Sequence, residues 1–186
     1  MKMIIVKVLV VLVAVISTAC VVALFTKKDY TISREIIISA PGNTVFDFVR
    51  YNKNQKLYSL WLSFDPATKI KLSGAEDGTS GAILYFESNN RKTGTGEWEI
   101  KQIEPGKRVD FQLRFIAPFK FIADGSFIVE TISADKTRLK WVYNSGMNWP
   151  MNFMLIFMDM DKIVGNDISA SMTNIKTIIE KRWSDS

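Results

Sequence analysis

Few residues in this chain have types and spacings that could do chemistry, and two carboxylates on one stretch come first. Glu97 and Glu99 flank Trp98, so strand alternation puts both on the same side. Paired carboxylates at that spacing can split their pKa values and share acid–base work. The same alternation favours a solvated pair, because Trp98 and Ile100 take the opposite side. Asp159 and Asp161 lie two apart in a helical stretch and diverge by about 200°, so they cannot grip one ion together. Gly94-Thr95-Gly96 lacks the strand–helix context of a phosphate cradle and reads as a bulge, and Asp124-Gly125 reads the same way.

What is missing narrows the chemistry further. The 186 residues include no His, which removes Ser–His and Cys–His nucleophile pairs and imidazole metal sites. A single Cys, Cys20, allows neither an internal disulfide nor a thiolate cluster. No metal or cofactor is implied. The formal charge of +5 is misleading, because four of the 24 basic residues (Lys2, Lys7, Lys27 and Lys28) sit in an acid-free N-terminus. The other 20 face 19 acids and are dispersed, so the chain carries no electrostatic footprint for nucleic acid.

The elements that would position a site follow from periodicity. Ile32–Ser39 is a β-branched run and predicts a strand. Ala40-Pro41-Gly42-Asn43 opens a helix burying Val45, Phe46 and Val49, and Gln55–Trp61 reads as a second short helix. Strands are predicted at 69–72, 82–87, 94–103, 108–116, 121–132 and 137–143, with period-two alternation clearest where Val109, Phe111, Leu113 and Phe115 oppose Asp110, Gln112 and Arg114. From Gly146 to Trp183 the spacing of Phe153, Phe157, Met160, Val164, Ile168, Met172, Ile175 and Ile179 predicts one long helix, with a bend or restart at Gly165. Met151, Met154, Leu155 and Met158 spill beyond that stripe. They suit a flexible pocket gate or a bilayer contact, or equally closer packing on the short helices.

Residues 1–28 form a separate unit. Val8–Phe25 runs 18 residues without a charge, and roughly 20 apolar residues span a ~30 Å hydrocarbon core. An uncleaved signal-anchor helix accounts for the whole stretch, while cleavage after Ser17-Thr18-Ala19 or lipidation at Cys20 would leave apolar Val21–Phe25 unexplained. Lysines flank both ends, so the positive-inside comparison is near a tie; a short basic N-terminus inside puts the domain on the outer face.

The order of elements, with SAPGNTVFDFV, IEPGKRVDFQLRF, TRLKW and MNFMLIFMDMDKIVGNDISASMTNIK, resembles the polyketide cyclase/dehydrase and lipid-transport family of the START/SRPBCC helix-grip superfamily. The likeness covers residues 30–184, nearly all that follows the anchor. It implies an α+β fold in which a curved antiparallel sheet of about seven strands wraps a long C-terminal helix. It also implies an apolar cavity between them for a lipid, sterol, polyketide or similar guest. The expected lining is Trp61, Phe86, Trp98, Phe111, Phe115, Trp141, Tyr143 and Phe157, with Tyr85, Arg114 and Tyr143 as polar contacts; large aromatics at such positions are also ordinary core. The expected activity is membrane-tethered binding of a hydrophobic molecule. The alternatives are a cyclase or dehydratase using Glu97, Tyr85, Tyr143 or Arg114, and an envelope interaction protein with a vestigial pocket.

Overall fold

A computed structural model describes residues 2–185. The chain opens with helix α1 (Lys2–Phe25), and three residues later strand β1 (Asp29–Ile38) begins. Helix α2 (Gly42–Val49), a 3-10 turn (Asn52–Asn54) and the short helices α3 (Gln55–Tyr58) and α4 (Leu60–Ser63) follow. Six strands come next: β2 (Lys69–Gly74), β3 (Ala82–Glu87), β4 (Thr95–Glu104), β5 (Arg108–Ala117), β6 (Phe121–Ser133) and β7 (Lys136–Gly146). A 3-10 segment (Met151–Ile156) then leads into α5 (Met160–Ser184).

The strands make one antiparallel sheet in the order β1-β7-β6-β5-β4-β3-β2, so β1 closes the sheet against the last strand. Alternation decides which side is which. Leu84, Phe86, Trp98, Ile100, Phe111, Leu113, Leu139 and Trp141 are buried on the inner face, while their neighbours in sequence turn outward. Against this face lies α5, whose Ile168, Met172, Ile175 and Ile179 recur at helical spacing and are at most 1 % exposed. Each such side chain contributes about 1.5–3 kcal/mol by leaving water. The seven strands are those the sequence predicts, as is the buried stripe of the terminal helix.

Three expectations need correction. The C-terminal helix does not run from Gly146; the chain breaks at Phe157–Met158, and Asp159 caps α5 by accepting from the Lys162 amide. α5 does not restart at Gly165 but runs unbroken through it. A Cβ there would stand 2.2 Å from Arg34 Nη2, so glycine leaves room for a guanidinium that bridges from β1 to Asp161. Gly125 is not in a bulge either: β5 and β6 pair regularly through it, and an added Cβ would lie 2.4 Å from Phe111 Cζ. The bulge at Gly94-Thr95-Gly96 is present, as a register shift between Thr95 and Gly96.

Candidate functional site

Between sheet and α5 the interior is occupied by aromatic rings. Trp98 stacks on Phe111 with centroids 3.9 Å apart, and Phe127 lies 5.3 Å from Phe111 and 4.6 Å from Trp141. Trp61 and Tyr58 approach Trp141 edge-on at 6.2 and 6.4 Å. The short helices hold those two rings in place because they are stitched to α5. The Leu60 amide donates to Ser171 Oγ, Asn174 donates to the Tyr58 carbonyl, and Trp61 Nε1 donates to Asp167 at 2.9 Å.

Two polar atoms in this cluster have no hydrogen-bond partner among the described residues: Tyr58 Oη and Trp141 Nε1. Tyr58 is 1 % exposed, and burial pushes its phenol far above the ordinary tyrosine range. Tyr143 is inside as well, beside Tyr30, and its phenol is also raised, chiefly by burial. Both phenols therefore stay protonated at neutral pH, as donors and not as bases.

The sequence-derived set divides under this geometry. Trp98, Phe111, Trp141 and Tyr143 face the interior; Phe86 and Phe115 meet edge to face at 5.5 Å towards one end of it, and Trp61 is at its partly exposed margin. Tyr85 and Arg114 do not point inward. Strand alternation sets both on the outer face, where Arg114 pairs with Glu97 at 2.9 Å and also bonds Glu99. The two glutamates face water as alternation implied; hydrogen bonds from Lys101 first, then Arg114, hold Glu99 below the usual carboxylate range. Phe157 is displaced too, lying outside the sheet–helix interior at 75 % exposure. Tyr58 was missed, because its place on the apolar side of a short helix marks it only as core.

Two openings lie elsewhere, along the segment that precedes α5. A groove of about 460 Å³ runs between α1 and the 3-10 segment, lined by Val11, Ala14, Val15, Thr18, Ala19, Val22, Phe153, Ile156 and Phe157. The α1 members recur every three or four residues, and small Ala14, Thr18 and Ala19 make the hollow that the phenylalanines face. Asn152, fully buried, fastens the two pieces by donating to the carbonyls of Ala23 (2.7 Å) and Thr26 (3.0 Å) at the end of α1. Those carbonyls lie where a helix runs out of amide partners of its own. Trp149 Nε1 adds a bond to the Cys20 carbonyl at 3.1 Å. A second opening of about 310 Å³ lies beside the same segment, between Lys27–Ile32 and Leu155–Asp161.

No protein-family model matches the sequence, and no curated protein does. Solved structures do match in shape. The chain is similar to the ZhuI aromatase/cyclase from Streptomyces sp. R1128 (TM-score 0.61, 13 % identity, 83 % of this chain and 95 % of that one). It is similar to norcoclaurine synthase from Thalictrum flavum, solved in complex with dopamine and hydroxybenzaldehyde (0.58, 11 %, 86 % and 91 %). A third likeness is to the Aha1 dimer from Colwellia psychrerythraea (0.56, 17 %, 81 % and 96 %). Residues 29–184 therefore have the helix-grip fold that the sequence resemblance implied, preceded by one apolar helix of membrane-spanning length.

Proposed function

We propose that this chain is a membrane-tethered binding protein for a lipid or another hydrophobic small molecule. The observation that carries the reading is the 460 Å³ groove, a size typical of small-molecule sites and lined almost wholly by apolar side chains. The groove joins the span to the domain. At 1.5 Å per residue α1 is about 36 Å long, enough for a ~30 Å hydrocarbon core. A guest seated there reaches it from the bilayer, where tethering keeps its local concentration high. The orientation proposed keeps Lys2 and Lys7 inside and the domain on the outer face of a cell membrane.

A second reading puts the guest in the interior, among Trp61, Phe86, Trp98, Phe111, Phe115, Trp141 and Tyr143. The unpaired donors of Tyr58 and Trp141 favour it, since a buried donor without a partner forfeits about 1–3 kcal/mol that a guest's acceptor would restore. Rings now fill that space, so one of the two partly exposed members, Trp61 or Phe115, is the one to move aside. A cyclase or dehydratase is less well supported. Glu97, Tyr85 and Arg114 lie outside, and Tyr143 is held protonated.

A photoactivatable fatty acid, added to the full chain in lipid nanodiscs and mapped by peptide mass spectrometry, tests both sites. Crosslinks concentrated at 153–157 and reduced several-fold by Ala14→Trp support the groove. Crosslinks at Trp98 and Trp141 instead select the interior. Labelling spread evenly round α1 and indifferent to Ala14→Trp refutes the groove.

A further inference from the structure

Four connections converge on the end of the sheet from which α1 leaves. Antiparallel register sets Asp29 opposite Gly146, Ala123 opposite Ser145 and Phe115 opposite Phe121. The start of β1, the end of β7 and the β5–β6 turn therefore share this end. The β3–β4 turn joins them, for a Cβ on Gly94 would lie 2.4 Å from the Ala117 carbonyl oxygen. The link from α1 is short and pinned: the Thr26 carbonyl accepts from Asn152, and the Lys28 carbonyl accepts from the Met147 amide at 2.9 Å. Three linker residues reach about 10 Å at most, so this end stays close to wherever α1 emerges.

The β5–β6 turn is apolar where a water-facing turn would be polar. Phe119 at its tip is 71 % exposed, and Ile116 and Ile122, on the outer face to either side, are 44 % and 56 % exposed. Trp149 and Phe157 are exposed on the neighbouring connection. One exposed apolar side chain is unremarkable on any surface; several on adjoining turns at one end mark a contact surface. Lys27, Lys28, Arg91, Lys92 and Lys120 are exposed at this end as well. Three of its carboxylates are paired, Asp161 with Arg34, Asp159 with Lys162 and Glu87 with Lys69, while Asp29 and Asp65 have no ion pair among the described residues. Apolar tips ringed by cations match the boundary between acyl chains and phosphate head groups.

We propose that the helix-grip domain sits end-on against an anionic bilayer surface, its β5–β6 turn dipping Phe119 to the acyl boundary beside the anchor. The proposal rests on the reading of α1 as a retained membrane span. The anchor restricts the domain to the surface, and the turn fixes which end faces down, which turns the groove and the second opening towards the lipid.

The test uses the full chain in nanodiscs of phosphatidylcholine and phosphatidylglycerol, with an environment-sensitive fluorophore on a single cysteine and acrylamide as aqueous quencher. Native Cys20 reports on α1. Phe119→Cys, in a Cys20→Ser background, reports on the turn, and Asp135→Cys in the same background reports on the opposite end. The expected result is blue-shifted emission and several-fold protection at 119, approaching that at 20, with free quenching at 135. Protection at 20 with position 119 quenched as freely as 135 would overturn the seating while leaving the anchor intact. Free quenching at 20 would overturn the span and the seating together.

Discussion

Replacing Tyr58 by Phe should make the domain more stable and, where the interior takes a guest, a poorer binder. The ring is packed among Phe48, Phe127 and Trp141 at centroid distances of 6.0, 6.5 and 6.4 Å, and phenylalanine keeps every one of those contacts. What is lost is a hydroxyl that is buried and unpaired. A stranded polar group costs about 1–3 kcal/mol, and taking the low end leaves a gain of about 1 kcal/mol. For a domain of this size that raises Tm by about 2–4 °C. Thermal unfolding of the delipidated full chain in detergent, followed by near-ultraviolet circular dichroism, reads it directly. A guest that accepts from Tyr58 would lose one hydrogen bond, weakening its binding by about 3- to 10-fold. A fall in Tm on Tyr58→Phe would show that the hydroxyl has a stabilising partner, and the argument from unpaired donors would fail.

Two further perturbations test the packing and the outer face. Gly125→Ala places a methyl 2.4 Å from Phe111 Cζ and 2.7 Å from the Val142 carbonyl oxygen, so it should cost about 1–3 kcal/mol in denaturant unfolding; a neutral result would mean the ring stack is loose. Glu99 is held below its ordinary pKa by Lys101 and Arg114, so its folded form binds protons less readily than the unfolded chain. Its contribution is present above the unfolded value and is lost as pH falls through the lower folded one. The stability gap between wild type and Glu99→Gln should therefore narrow from about pH 5 downward, and a gap constant with pH would contradict the ion network.

Much of this fold was legible because alternation and helical spacing depend only on neighbouring residues. Val109, Phe111 and Leu113 gave the inner face of β5 correctly, and Ile168, Met172, Ile175 and Ile179 gave that of α5. The same alternation already put Arg114 and Tyr85 outside, next to the glutamates; expecting them in a pocket set a hoped-for role above the pattern. Gly165 and Gly125 were misread for a different reason. Each is glycine because of a side chain distant in sequence, Arg34 or Phe111, and no local window contains that contact. The break before α5 was hidden because Met151–Met158 is apolar nearly all round: it lies beside the start of β1 on one side and α1 on the other, so no polar face marks its end. Tyr58 reads as core from sequence, and only the finished packing exposes its missing partner.

The proposal that this chain holds a hydrophobic guest at a membrane is tested most plainly by native mass spectrometry of the full chain released from nanodiscs made with lipid from its own host. The expected result is a discrete adduct of one hydrophobic molecule that survives detergent stripping and is lost on Ala14→Trp or, for an interior guest, weakened on Tyr58→Phe. A bare chain mass under conditions that preserve its fold would contradict it.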